Sequence, residues 1–155
     1  MNDVTVRMEH EVDSEILYPL IKQLNPDMSL ERFEMLYTDM LMSGRYKLLT
    51  ARDSKNALHG VAGIWLNSKF FCGAYMEIDN FVIDKNHRGQ GIGRKMMEFV
   101  VQYARNIKCD TISLDVFREN DYANALYESY GFEKPGYHRI LWLNKDVKRE
   151  YIHTN

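Results

Sequence analysis

The tightest constraint on this chain is the run Arg88-Gly89-Gln90-Gly91-Ile92-Gly93. Before it, Met76 to Asp84 alternates between polar and apolar residues. After it, Gly91 to Ile107 carries apolar residues at helical spacing. A strand therefore passes through a glycine turn into the first turn of a helix. Glycines at alternate positions remove every second side chain, so backbone N–H groups can crowd around an anion. The helix adds its unpaired N–H groups and the positive end of its dipole. Arg88, Arg94 and Lys95 add full positive charge at the same place. The stretch reads as a cradle for a phosphate or pyrophosphate.

Two familiar cradles are excluded. A Walker A loop needs Gly-x-x-x-x-Gly-Lys-Ser/Thr, which is not met. A dinucleotide fingerprint needs Gly-x-Gly-x-x-Gly. Counted from Gly89 the third glycine is out of step at Gly93, and from Gly91 its place is taken by Met96.

The flanking patterns predict the rest of the fold. Val4, Val6 and Met8 alternate as a first strand. Ile16, Leu17, Leu20, Ile21 and Leu24 predict a helix with Asp13 as its N-cap; Pro19 marks either a kink or the start of its regular part. Ser29 opens a second helix that Gly44 ends. Tyr46–Ala51, Leu58–Leu66 and Tyr75–Ile83 read as an antiparallel meander, with Asn67–Gly73 as a loop. The cradle's helix presents Ile92, Met96, Phe99, Val100, Tyr103 and Ile107 on one face. Thr111–Phe117 is a strand parallel to the one before the cradle. Asn120 or Asp121 opens a last helix ending at Gly131, and Tyr137–Leu143 is a last strand. The order β-α-α-β-β-β-α-β-α-β gives a mixed α/β sheet with helices on its faces. At 155 residues and 45% hydrophobic, the chain is expected to be one domain, 1–155, with a flexible tail from 145.

Two groups of polar residues sit where chemistry could use them. Asn120, Asn124 and Tyr127 follow one another by four and three positions, so they share one helix face as a ligand-facing stripe. Glu77 and Asp79 share one face of the strand before the cradle, where a carboxylate could take a proton from an amine. The plain alternatives are packing for the tyrosine, one of ten, and ion pairing with Arg88 or Arg118 for the acids.

The pattern Arg/Gln-x-x-Gly-x-Gly/Ala after a strand, met here by Arg88 to Gly93, resembles the coenzyme A loop of the GNAT superfamily of acetyl-CoA-dependent N-acetyltransferases. The segment Asn120, Ala123, Tyr127, Gly131 and Phe132 resembles a second motif of that family, and the element order is also similar. The resemblance implies a GNAT fold, with acetyl-CoA as co-substrate and a primary amine as acceptor in a ternary complex. Coenzyme A would be bound by Val82, Ile83, Arg88, Gly89, Gln90, Gly91, Ile92, Gly93, Arg94, Lys95, Asn120, Asn124 and Tyr127. A bulge is implied near Phe81-Val82-Ile83, leaving backbone for the pantetheine amides. Tyr127 would be the acid for the departing thiolate. Two bases are nominated: Glu77, at the position of the glutamate base in the histone acetyltransferase branch, and Asp115, which stands where the ribosomal-protein branch carries a glutamate.

Composition narrows the partners. A formal net charge of −2, without a long block of one sign, argues against nucleic acid and anionic membranes. No apolar run approaches the roughly 20 residues of a membrane span, and the polar N-terminus does not read as a signal peptide. Cys72 and Cys109 are too few for a disulfide framework, so a cytoplasmic protein is expected; a homodimer is compatible with all of this. His87 reads as a solvated loop residue, and His10, His59, His138 and His153 have no ligand spacing, so no metal is expected. Cys109 does not read as a nucleophile. Tyr37, Phe70, Phe71 and Tyr75 are candidates for an acceptor site. The acids suggest a cationic acceptor: a polyamine, an amino-acid derivative, an aminoglycoside or a peptide amine. The rival readings are a non-catalytic coenzyme A sensor or protein-interaction module on the same fold, and a nucleotide-phosphate binder.

Overall fold

The alternation near the N-terminus forms β1 (Thr5–Glu9), and the helical spacing after it forms α1 (Ser14–Leu24) and α2 (Leu30–Met42). Pro19 lies inside α1. A proline there costs about 3 kcal/mol, but Leu17, Leu20 and Ile21 are buried on the same helix, each contributing roughly 1.5–3 kcal/mol. Tertiary burial therefore carries the helix through the proline. The Ser29 hydroxyl caps α2 by accepting the Arg32 N–H at 3.2 Å. The computed structural model describes residues 4–136 and 139–144. It divides into two compact units, one ending at Leu114 and one beginning at Asp115.

The first unit holds one sheet. β2 (Tyr46–Arg52), β3 (Leu58–Lys69) and β4 (Gly73–Ile83) form the expected meander. β1 joins β2 antiparallel, and β5 (Thr111–Leu114) joins β4 in parallel after helix α3 (Ile92–Asn106). The strand order is β1-β2-β3-β4-β5. The β3–β4 hairpin is longer than expected. The residues predicted as a loop extend the ladder through Asn67↔Tyr75 and Lys69↔Gly73, leaving only positions 70–72 to turn.

The register of β3 with β4 contains the expected bulge, slightly earlier than predicted. Val61 pairs with Val82, and Gly63 pairs with Asp79. Two residues of β4, Asn80 and Phe81, thus stand opposite Ala62. Asn80 takes φ +49°, a left-handed conformation that asparagine tolerates better than most residues. On its other edge β4 has lost β5 before this point, because their parallel pairing runs only from Tyr75 to Ile78; pairing with β3 resumes at Val82 and Ile83. β5 correspondingly ends at Leu114, short of the expected Phe117.

Opposite residues share a face, so the register sorts the side chains. Tyr46, Trp65, Glu77, Asp79 and Val82 lie on the face that packs against α1 and α2, whose core includes Leu17, Ile21, Phe33, Tyr37, Leu48 and Val61. The other face packs against α3. There a Cβ on Gly60 would come within 2.8 Å of Met96 Sδ and 2.9 Å of Ile83 Cδ1. Met76, Met96, Met97 and Val100 are buried.

Where β1 meets β2, Glu9 Oε1 accepts from Thr50 Oγ1 at 2.6 Å, Arg52 Nε at 2.8 Å and Arg7 Nε at 3.0 Å. Burial alone would raise the Glu9 pKa. The hydrogen bonds outweigh it and hold the carboxyl down at about 2.

The second unit contains α4 (Asp121–Ser129), bounded as expected by Asn120 and by Gly131 at φ +84°. The predicted last strand is corrected. Tyr137 and His138 lie outside the described residues, and 139–144 form no strand. Ile140, Leu141 and Leu143 stay exposed, so no buried face enforces their apolar pattern. The expected tail from 145 also lies outside the described residues. Among the described residues, no helix is long and apolar enough to cross a membrane.

Candidate active site

The cradle adopts the geometry its glycines imply. After β4, a 3-10 turn (Lys85–His87) leads to Arg88. Gly89 and Gly91 take φ +73° and +78°, a region that costs other residues about 1–2 kcal/mol. Gly91 is the N-cap of α3, whose first turn holds no acid. A Cβ built on either glycine meets nothing within 4 Å, so the backbone opens directly to the surface. Gln90, Arg94 and Lys95 are exposed, Gly93 is half-buried and Ile92 is buried. Arg88 Nε donates to the Ile83 carbonyl at 3.2 Å, which fastens the loop to the end of β4. Val82 is buried and Ile83 half-buried, just past the bulge.

The 3-10 turn is supported by groups that sequence spacing did not connect. His87 Nδ1 lies 2.8 Å from Asp84 Oδ2. Asp84 Oδ1 accepts from Gln23 Nε2 of α1 at 3.2 Å, and Gln23 Oε1 accepts the Lys85 N–H at 2.9 Å. Burial pushes the Asp84 carboxyl up, but the His87, Gln23 and Asn86 hydrogen bonds hold it below the usual carboxylate range. His87 is half-buried, and its ring centroid is 3.9 Å from that of His59 on β3. The expectation of a solvated His87 is therefore corrected: β3 brings a second imidazole against it.

On the α1/α2 face of the sheet, a cavity of about 100 Å³ lies between Leu17 and Ile21 of α1, Phe33, Leu36, Tyr37 and Met40 of α2, and Tyr46 and Asn80 of the sheet; Asn25 and Met28 complete it. Its walls are largely apolar, and Asn25, Tyr46 and Asn80 supply polar groups. The Asn80 side chain donates to Asp79 Oδ2 at 2.7 Å. Burial, reinforced by the charge of Asp79, raises the Tyr46 pKa, so this phenol stays protonated. Glu77 is half-buried on the same face, paired across the ladder with Trp65 and Ser113. Of the aromatics proposed for an acceptor site, Tyr37 lines this cavity. Phe70 and Phe71 project from the hairpin tip, fully exposed. Tyr46 and Asn80 were not anticipated. Asparagine ahead of a bulge-prone segment was their one local signal.

In the second unit, Tyr127 is the buried residue of α4, and burial raises its pKa. The two asparagines of the expected stripe serve the start of their own helix. Asn120 Oδ1 accepts the Ala123 N–H at 3.1 Å, and Asn124 Nδ2 donates to the Phe117 and Asn120 carbonyls at 3.0 and 2.9 Å. Asp115 is exposed. Cys109, in the first unit, has its thiol pushed up by burial and by Asp110, the opposite of what a nucleophile needs.

The sequence profile of the Acetyltransferase (GNAT) family matches residues 15–132, from α1 to the residue after Gly131. The chain belongs to the GNAT acetyltransferase family. A spermine/spermidine N(1)-acetyltransferase of Bacillus subtilis (strain 168) is 37% identical over 60 residues, 38% of this chain and 40% of that protein. The chain thus matches well under half the length of that relative. Two solved structures share the GNAT fold over 92% of this chain. One is a ribosomal-protein-alanine N-acetyltransferase from Brucella melitensis biovar Abortus 2308, at TM-score 0.74 and 17% identity over the whole of that chain. The other is AAC(6')-Iy in complex with the bisubstrate analogue CoA-S-monomethyl-acetylneamine, at TM-score 0.73 and 16% identity over 97% of that chain.

Proposed function

We propose that this GNAT protein transfers the acetyl group of acetyl-CoA to a primary amine by direct attack in a ternary complex. The observation that carries the reading is the loop from Arg88 to Gly93. Two left-handed glycines open it to the surface, and it runs into a long helix whose first turn holds Arg94 and Lys95 and no acid. Pyrophosphate is the ligand such a loop accommodates best. The backbone of β4 past the bulge, at Val82 and Ile83, would take the pantetheine arm as an added strand. Asn120 and Asn124 are proposed contacts of the same arm.

The amine nitrogen attacks the thioester carbonyl, a C–N bond forms, and the C–S bond breaks. A base takes a proton from the amine, and the leaving thiolate gains one. Tyr127 is the proposed donor of the second proton, because burial keeps its phenol protonated. Glu77 is the proposed base, with Asp115 as the competing assignment. Glu77 shares its sheet face with the cavity between α1 and α2, which favours it. That cavity, apolar with a few polar groups and with Asp79 beside it, suits an amine carried on an apolar stem.

A thermal shift is the direct test. Ligand at about 100 Kd stabilises by ~2.7 kcal/mol, so acetyl-CoA should raise Tm clearly while ADP and NAD do not. No shift, or an equal shift with NAD, rejects the acetyl-CoA reading. Glu77→Gln and Asp115→Asn then decide the base. The true base, once removed, should abolish the low-pH limb of the rate profile and lower turnover about 100-fold; an unchanged limb in both discards both assignments.

A further inference from the structure

We infer that His59, Asp84 and His87 form a binding site for a divalent transition-metal ion, zinc or a close relative. One ligand atom from each lies within 4.8 Å of the other two. His87 and Asp84 already meet at 2.8 Å, inside the spacing of about 3.4 Å for two ligands bonded at ~2.1 Å to one tetrahedral zinc. With every pair within 4.8 Å, no pair has to approach by more than about 1.4 Å to reach that spacing.

The surroundings are those of a held ligand set rather than a chance pair. His59 is buried, and its Nε2 lies 3.0 Å from Asp53 Oδ2. A carboxylate there draws the ring proton to Nε2, leaving the Nδ1 lone pair for a metal. This is the carboxylate–histidine arrangement that orients metal ligands. The Asp53 carboxylate is itself fixed by the Lys55 and Ala57 N–H groups at 2.8 and 2.9 Å. Gln23 holds the other carboxylate, Asp84, at 3.2 Å. The ring centroids stand 3.9 Å apart, and the carboxylates of Asp53 and Asp84 flank the two rings. Two nitrogen donors exclude calcium and magnesium, which take oxygen ligands, and favour zinc, cobalt, nickel or copper. Three protein ligands leave a fourth position for water. A bound ion would tie β3 to the 3-10 turn immediately before Arg88, bracing the loop from a direction independent of any acetyl transfer.

The test uses full-length, tag-free protein stripped with a chelator. Zinc chloride alone is titrated against a chromophoric chelator, and cobalt(II) is read by its visible absorption. The expected result is one equivalent bound at micromolar affinity or tighter, with no thiolate-to-cobalt band. His87→Gln, at a half-buried position, should remove the binding. Asp53→Asn, one step back from the ion, should weaken it about 10–100-fold. Circular dichroism without metal verifies that both variants are folded; His59→Gln is a second check should either misfold. Failure of the wild type to bind zinc at about a hundred times micromolar affinity overturns the proposal. So does binding that survives His87→Gln, or a thiolate band assigning the ion to Cys72 or Cys109.

Discussion

At Tyr127 one oxygen atom separates the proposed acid from an inert ring. Tyr127→Phe keeps the buried ring, which stands 5.8 Å from Phe132 centroid to centroid. It should therefore leave the fold and the acetyl-CoA affinity nearly unchanged, within about twofold. Turnover should fall about 100-fold, the low end for losing a general acid. Initial rates of thiol release read both quantities, and an equally active variant removes Tyr127 from the mechanism. Glu9 makes a stability prediction at the same scale. Its pKa is depressed from 4.5 to about 2 in the folded state. Its contribution is therefore fully present above pH 4.5 and is lost as pH falls toward 2. Allowing for solvent screening of a partly exposed network, that contribution is roughly 2 kcal/mol. Urea unfolding of Glu9→Gln should show this loss at pH 7 and a flatter acid limb than wild type. Parallel acid limbs would mean that another group carries the effect.

Elements were legible where local pattern decides them. The apolar period of α3, the serine cap of α2 and the glycines around the cradle all act within a turn or two of the residues concerned, so their locations can be read without the fold. What escaped depends on partners distant in the chain. The exact step of the bulge rests on Ala62 facing Asn80 and Phe81. The end of β5 follows from where β4 stops pairing. His59 and His87 are brought together only by β3 lying beside the end of β4. The last strand differs for the converse reason: its apolar run Ile140 to Leu143 is real, but Ile140, Leu141 and Leu143 stay exposed, and no buried face enforces a strand. Gly91→Ala tests the element that was most legible. Its Cβ has open space, so the free protein should lose only about 1–2 kcal/mol from the left-handed φ. The added methyl group would sit where the anion must approach. The acetyl-CoA thermal shift should therefore shrink far more than the melting temperature of the free protein; an intact shift would mean that the phosphates bind elsewhere.

Across the whole molecule, the two units differ in how their site residues are used. In the first, the carboxylates Glu77 and Asp79 and the Asn80 wall of the cavity all lie on β4, and the anion loop follows that strand. In the second, the side chains of Asn120 and Asn124 already serve helix α4, and Tyr127 is the residue of that helix withdrawn from solvent. The family profile spans both units, which is why the motif around Tyr127 could be recognised although its setting could not be built from local pattern. The strand order has a further consequence, in kinetics. Every neighbour in the sheet is also a neighbour in the chain, and the pairings of β2 with β3 and of β3 with β4 each close a short connection. Two pairings close longer connections: β1 with β2 across α1 and α2, and β4 with β5 across the cradle loop and α3. Loop-closure entropy places such contacts late. The proposed anion site is thus enclosed by a late parallel pairing, a short ladder from Tyr75 to Ile78.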